Sequence, residues 1–205
     1  MRVSPDASDP ARLDRILGFL EILDRFKTIE RAGYLADHSR HETDSDHAWH
    51  MSLFALLLHR ETALQLDIGH VLELILTHDL VEIYACDTYA HDRAAREAAK
   101  ARERDAAEKL FALLPGDQGH ELHAWWREFE TGDTPEARYA RTMDRLQAFA
   151  QNVFSGGRSW RERRTTEEMT RLLNADAIAS DPAIARVYER LYERALQEGV
   201  WTLGE

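Results

Sequence analysis

A histidine and an aspartate stand side by side at His78 and Asp79, at the end of an apolar stretch, and two further acids, Glu82 and Asp87, follow closely. Imidazole nitrogen and carboxylate oxygen both suit divalent zinc, manganese, cobalt or iron. On a helix, His78 and Glu82 share a face because they are four residues apart, and Asp79 lies about 100° further round. A lone His-Asp pair also occurs by chance, so it predicts a metal site only if further ligands stand on other helices.

Helical patterns dominate the chain and position those further candidates. Apolar residues repeat at helical spacing in a first segment that ends at about Phe26. Residues 27–44 are polar and irregular and predict a long connection, which in compact domains is often functional. Ser45 or Asp46 is predicted to cap a second helix, and Asp67 a third, which is apolar on most sides and therefore predicted to be central.

The remainder of the chain also favours helices. Five further segments are predicted, at about 93–114, around Trp125, from Thr134 to Ser155, at 165–176 and at 182–198. We therefore predict an all-α fold, a single domain over residues 1–205 built as a bundle of about seven to nine helices. Its metal-binding core spans about 10–155, and the C-terminal helices, 160–199, pack on that core.

Composition narrows the classes of function. The formal net charge of −11 argues against nucleic-acid binding, which needs a basic face. The longest apolar runs, such as Leu53–Leu58, are too short to cross a bilayer, and the N-terminus has no apolar signal region. A single cysteine, Cys86, suits a reducing compartment. We expect a cytoplasmic protein without a membrane or nucleic-acid partner.

Candidate ligands stand on two other predicted helices. The second helix begins with His47 and His50, and either could face a pocket because a three-residue step keeps them on one side. A later helix places Asp144 on or beside an apolar stripe. A buried carboxylate is costly unless it is paired or bound to metal. Arg141 or Arg145 is the alternative partner for that carboxylate.

This pattern resembles the HD-domain phosphohydrolases, whose four metal ligands follow the order H…HD…D. Three segments are similar to the 5′-deoxynucleotidases of that superfamily. Residues 40–47 match R-x-E-(x)3-[DE]-H, residues 78–87 match H-D-x-x-E-x-x-x-x-D, and residues 27–34 are similar to the segment that supplies a phosphate-binding arginine. The spaced Glu and Asp make the resemblance more specific than the four ligands alone.

The resemblance implies a metal centre and an activity. His47, His78, Asp79 and Asp144 would hold one divalent cation, for which Mn²⁺, Co²⁺, Zn²⁺, Fe²⁺ and Mg²⁺ are all candidates. The activity would be hydrolysis of the 5′-phosphate of deoxynucleoside monophosphates. Proteins of this kind are often dimers, and the aromatic residues near the C-terminus, which we expect to be exposed, would permit a homodimer.

The resemblance also implies roles outside the ligand set. Glu82 would be the general acid or base, Arg31 would clamp the phosphate, and Asp87 would help select the sugar. Each has a structural alternative: a solvated helix-end carboxylate for Glu82, a salt bridge to Glu30 or Asp37 for Arg31, and a turn cap for Asp87.

Two departures from the family pattern lie in the nucleotide pocket. Tyr34 stands near Arg31, where tryptophan is usual, and Cys86 and Thr88-Tyr89 replace a glycine and a proline around Asp87. The function therefore has two alternatives. One is an HD hydrolase that acts on (p)ppGpp or a nucleoside triphosphate, whose site should need more cationic side chains. The other is a catalytically silent regulatory protein built on the same fold.

Overall fold

Helices and one small two-stranded sheet make up residues 9–85 and 93–201, the part of the chain that this computed structural model describes. Eight helices in those ranges have ten or more residues, whereas α4 and α8 are single turns. The predicted all-α fold is confirmed. The helices are α1 (Pro10–Leu23), α2 (Asp44–Leu58), α3 (Ile68–Thr77), α4 (Glu82–Ala85), α5 (Arg93–Phe111), α6 (Gly116–Thr131), α7 (Pro135–Phe154), α8 (Arg158–Glu162), α9 (Glu167–Ile178) and α10 (Pro182–Gln197).

Side-chain caps fix where the site helices begin. Asp67 accepts from two backbone N–H groups at the start of α3, as predicted. The predicted cap of α2, Ser45 or Asp46, is wrong. Thr43 caps that helix, and its side chain and that of Asp46 each accept from the other's backbone N–H, at 3.3 and 2.9 Å. The cap lies earlier because Thr43 is at once the last residue of a strand and the first of the turn.

The region predicted as an irregular connection, residues 27–44, is instead ordered as a hairpin. A 3₁₀ turn at Asp24–Thr28 leads into β1 (Glu30–Tyr34), which pairs with β2 (His41–Thr43) in antiparallel register. The side chain of Gln151 donates to the carbonyl of Tyr34 at 2.8 Å and so ties β1 to α7. The hairpin therefore lies against the main helical core.

α3, predicted to be a central helix, packs against α2, α6 and α7, and among these helices α7 is the most extensively buried. α3 buries Val71, Leu74 and Ile75 completely but leaves Leu76 59 % exposed. α7 has eleven buried residues and packs against α2, α3, α6, α9 and α10. Side chains on α7 are therefore held from several directions. No helix among the described residues combines the length and the apolar content that a bilayer crossing requires.

Candidate metal centre

Three predicted ligands converge from three parts of the chain. His47 lies on α2, His78 immediately follows α3, and Asp144 lies midway along α7. One ligand atom from each residue lies within 4.8 Å of the other two. The Nε2 atom of His47 is 3.2 Å from a carboxylate oxygen of Asp144. The Asp144 side chain is turned toward this cluster and keeps 32 % of its surface exposed, which leaves the cluster open on one side.

The fourth predicted ligand, Asp79, borders the same cluster. Its Oδ2 atom lies 3.0 Å from Nε2 of His78 and 3.9 Å from Nε2 of His47. The same oxygen accepts a hydrogen bond from Arg31 at 2.8 Å. The structure thus brings all four predicted ligands together, with Arg31 beside them.

Each histidine ring is held by a contact at Nδ1, the nitrogen that faces away from the cluster. Nδ1 of His78 donates to the carbonyl of Ile75 at 2.7 Å, and Nδ1 of His47 lies 2.5 Å from the side-chain oxygen of Gln147. Both Nε2 atoms are buried and make no well-directed hydrogen bond to a described residue. Each instead faces a carboxylate oxygen, at 3.2 Å from His47 to Asp144 and 3.0 Å from His78 to Asp79. A divalent cation held by two Nε2 atoms and two carboxylates fits this donor set.

The electrostatics of the cluster favour positive charge within it. Burial alone would lower the pKa of His78, but the Asp79 and Asp144 carboxylates outweigh burial and raise it to about 9. Burial would raise the pKa of both aspartates, yet His78 and His47 hold the pKa of Asp79 and of Asp144 below its ordinary value. The cluster therefore attracts protons when no metal is bound, and a cation can satisfy the same carboxylates.

The second histidine of α2 has a different environment. His50 is half-buried, and its Nδ1 atom lies 3.3 Å from the side-chain nitrogen of Gln147, on the side of that amide away from the cluster. Burial lowers the pKa of His50. Of the two candidates on this helix, His47 is the one that reaches the cluster.

A cleft of about 240 Å³ opens beside the cluster. Arg31, His78, Asp79, Glu82 and Asp144 all line it. Glu82 is the first residue of α4, and its backbone N–H donates to the carbonyl of Asp79 at 2.9 Å. This tight turn keeps Glu82 next to the His-Asp pair. The cleft is therefore lined by three of the four predicted ligands, by the guanidinium of Arg31 and by the carboxylate of Glu82, groups that metal-assisted hydrolysis of a phosphate ester can use.

Arg31 forms ion pairs with carboxylates other than the two alternative partners predicted from the sequence. Its Nη1 atom lies 2.8 Å from Asp79 and 3.1 Å from the buried Asp44, and its Nε atom lies 3.9 Å from Glu42. Glu30 and Asp37, the alternative partners considered from the sequence, are not among these contacts. Arg31 is therefore positioned at the ligand cluster.

Of the other two residues predicted to contact the substrate, Tyr34 and Asp87, the structure describes only Tyr34. Tyr34 is buried, packs under the guanidinium of Arg158 at 3.9 Å, and donates its hydroxyl to Glu162 at 3.2 Å. It is not among the residues that line the cleft in the described part of the chain. Asp87 lies outside the described residues.

Sequence reasoning missed the buried groups behind the ligands. Gln147, Glu42 and Asp44 are all buried polar side chains that contact a ligand or Arg31. Glu42 and Asp44 lie inside the motif that ends at His47, which was the available signal. Gln147 gave a weaker one, because it follows Asp144 by three residues and therefore lies on nearly the same face of α7.

Comparison with known proteins points the same way. Residues 23–181 match the HD domain family. The chain is 31 % identical over 150 residues to the 5′-deoxynucleotidase HDDC2 of Bos taurus, a match covering 72 % of each protein. It is 28 % identical over 137 residues to the 5′-deoxynucleotidase HDDC2 of Homo sapiens, covering 66 % of each.

Solved structures give matches over most of the chain. A protein of Magnetospirillum magnetotacticum MS-1, named a predicted metal-dependent phosphohydrolase, is 35 % identical with a TM-score of 0.85, over 94 % of this chain and 99 % of that one. A conserved hypothetical protein of Pyrococcus furiosus shares the fold at 17 % identity, with a TM-score of 0.61 over 86 % of this chain and 99 % of that one.

Proposed function

The chain belongs to the HD-domain family, and from that premise we propose that it is a metal-dependent phosphomonoesterase that removes the 5′-phosphate from deoxynucleoside 5′-monophosphates. The observation that carries the proposal is the convergence of His47, His78 and Asp144, with Asp79 and Arg31 alongside, at one cleft. The 5′-deoxynucleotidase names of the similar proteins support the substrate class.

His47, His78, Asp79 and Asp144 would hold one divalent cation in this proposal. When bound, such a cation supplies Lewis-acid charge to a phosphate oxygen and lowers the pKa of water. The two histidines offer neutral nitrogen donors, and the aspartates offer negative charge that offsets the charge of the cation. This mixture suits Mn²⁺, Co²⁺, Zn²⁺, Fe²⁺ or Mg²⁺, and we leave the choice to experiment.

Arg31 is proposed to bind the phosphate. Its guanidinium is held beside the ligands by Asp79 and Asp44, so it meets the substrate without first being ordered. Planar N–H donors suit the oxygens of a phosphate and balance the charge that develops on them.

Glu82 is proposed to act as the general acid or base of the hydrolysis. Hydrolysis forms a bond from water oxygen to phosphorus and breaks the bond from phosphorus to the 5′-oxygen, which leaves with a proton. A carboxyl group at the cleft wall can orient the water and deliver that proton to the leaving oxygen. Asp87 is proposed to contact the sugar, and Tyr34 to shape the substrate side of β1 from behind the cleft.

The chain is also proposed to act as one domain in the cytoplasm, as a homodimer. α9 and α10 pack on α7, which supports a single core, and the single Cys86 suits a reducing compartment. The aromatic residues near the C-terminus do not form the exposed surface expected from the sequence, because Tyr188 and Tyr192 are buried. Exposed apolar residues are spread over several helices, including Leu17 on α1, Trp49 on α2 and Leu172 on α9. Light scattering of the purified protein tests the oligomeric state.

The activity is tested by phosphate release from a panel of ribo- and deoxynucleoside 5′-monophosphates, each assayed with every candidate metal. The proposal expects release from the deoxy series, dependence on added metal and loss with a chelator. Absence of phosphate release from every monophosphate, in protein that binds metal, would refute the assignment and leave the other two alternatives, a triphosphate or guanosine polyphosphate substrate and a silent regulatory protein.

One observation favours a triphosphate or guanosine polyphosphate as the alternative substrate. Besides Arg31, the cleft is lined by Lys100, Arg141 and Arg145, which is more cationic charge than the sequence alone suggested. Arg141 and Arg145, however, donate to backbone carbonyls of α6 and α9. Assaying dAMP, dATP and a guanosine polyphosphate side by side separates the two substrate classes.

A further inference from the structure

A fully buried amide links the metal cluster to a buried carboxylate. The side-chain oxygen of Gln147 lies 2.5 Å from Nδ1 of His47, and its side-chain nitrogen donates to Glu42 at 2.7 Å. Gln147 and His47 have no exposed surface, and Glu42 is 3 % exposed. We refer to Glu42, Gln147 and His47, joined in this order, as the relay.

The chemistry of the relay allows only one orientation of the amide. An ionised carboxylate can only accept hydrogen bonds, so the NH₂ group of Gln147 must face Glu42. The amide oxygen then faces His47, and that oxygen can only accept. Nδ1 of His47 therefore bears the proton, and the lone pair of the neutral ring is on Nε2, toward Asp144 and the cluster.

From this geometry we propose that Glu42 and Gln147 are positioning residues that fix His47 in the one tautomer able to bind metal. The inference rests on the proposed role of His47 as a ligand. Without the carboxylate, the remaining polar neighbour of the amide nitrogen is His50 at 3.3 Å, whose ring can donate or accept, so Gln147 could present NH₂ to His47. The ring proton would then move to Nε2 and block the metal.

The relay also connects the two halves of the site. Glu42 lies 3.9 Å from Nε of Arg31, so one buried carboxylate faces both the proposed phosphate clamp and the amide behind a metal ligand. Gln147 lies one helical turn beyond Asp144, so α7 supplies one ligand and orients another. Partners of this kind typically change metal affinity by about 10–100-fold when they are lost.

The decisive experiment exchanges the two relay groups. Glu42→Gln keeps the shape but leaves two amides that can pair in either orientation, and we expect it to weaken Mn²⁺ binding by about 10–100-fold. The double variant Glu42→Gln/Gln147→Glu restores a carboxylate acceptor behind His47 at unchanged net charge. We expect this exchange to recover Mn²⁺ affinity to near the wild-type value, measured by isothermal titration calorimetry.

A matched pair of substitutions on α7 provides the control for packing. Gln147→Leu removes the relay amide, whereas Gln151→Leu removes the next buried amide on the same face, which donates to the carbonyl of Tyr34 and also hydrogen-bonds with His50, but does not contact His47 in the described structure. Both lose a buried hydrogen bond, but only Gln147→Leu should weaken Mn²⁺ binding. Circular dichroism identifies variants that fail to fold. If Gln147→Leu does not fold, the isosteric Glu42→Gln still tests the proposal.

NMR spectroscopy shows directly which ring nitrogen of His47 carries the proton. Long-range ¹H–¹⁵N spectra of the metal-free protein should place the single proton of the neutral His47 ring on Nδ1 in the wild type and in the exchanged double variant. In Glu42→Gln a population with the proton on Nε2 should appear. Wild-type Mn²⁺ affinity in folded Glu42→Gln, or weakened binding that the exchange does not recover, would overturn the relay. Failure of the wild-type protein to bind Mn²⁺ would instead count against the proposed function.

Discussion

Asp144→Asn is the most direct test of the metal centre, because it changes one charge in a ligand and little else. Asp144 supplies one of three atoms that lie within 4.8 Å of each other, from the middle of the most buried helix. Asparagine has nearly the same shape but no negative charge. We therefore expect an intact fold and a large loss of metal affinity.

The size of the effect follows from binding linkage. A metal at a concentration a hundredfold above its dissociation constant stabilises the wild-type protein by about 2.7 kcal/mol. For a chain of 205 residues, this corresponds to a rise in melting temperature of about 5–11 °C. If Asp144→Asn weakens binding by about a hundredfold, the same concentration stabilises the variant by only about 0.4 kcal/mol, or about 1–2 °C.

The assay is thermal unfolding with and without Mn²⁺, with a chelator as the metal-free reference. Asp176→Asn is the matched control, since it removes the same charge from an exposed position on α9 and should keep the full metal-induced shift. A metal-induced shift in Asp144→Asn as large as that of the wild type would show that the carboxylate is not a ligand.

Three further predictions concern the reaction, a surface ion pair and a backbone position. Glu82→Gln should keep the metal-induced shift in melting temperature but lose at least about 100-fold in turnover, because only the proton-transfer group is removed. Burial would lower the pKa of His70, but its two glutamate partners outweigh burial and raise it, so their pairing stabilises the fold below about pH 6.5 and is lost as the pH rises through the folded-state pKa. Glu128→Gln should therefore destabilise the protein more at about pH 5.5 than at about pH 9, by less than about 1 kcal/mol for this partly exposed pair, measured by urea unfolding. Gly157→Ala should cost clearly more free energy of unfolding than Gly156→Ala, because both have positive φ but only at Gly157 would a Cβ atom lie 2.2 Å from a side chain of the C-terminal segment.

Each of these predictions has a contradicting result. Turnover of Glu82→Gln close to that of the wild type would remove this residue from the mechanism. An effect of Glu128→Gln that is independent of pH would mean that the charge on His70 does not contribute. Equal costs for the two glycine variants, measured by denaturant unfolding, would mean that the C-terminal segment moves aside without loss.

The four proposed ligands follow from the resemblance to the HD-domain phosphohydrolases, and the sequence could place them because each stands within or just after a helix with a strong local pattern. The apolar run before His78 and the apolar stripe around Asp144 placed both residues in the core, and caps such as Asp67 marked where helices begin. The choice between His47 and His50 could not be made from spacing, since three residues keep both on one side of α2. The motif of residues 40–47 selects His47, and the packing of α2 against α7 places that residue at Asp144 and Gln147.

The hairpin and the relay could not be predicted, for a common physical reason. Strand pairing in residues 30–43 depends on contacts with α7, and the strands alone are too short to form a stable sheet. Gln147 and Glu42 are 105 residues apart, so no local pattern joins them. Each residue looks like an ordinary polar side chain until the fold brings the two together.

The two sides of the site rest on elements of very different local stability. Asp144 and Gln147 belong to α7, whose backbone amides should exchange with deuterium only when the whole protein opens. Arg31 belongs to a two-stranded ribbon at the edge, whose amides should exchange through smaller openings. On warming, phosphate binding through Arg31 should therefore be lost some degrees before cation binding at the helical ligands.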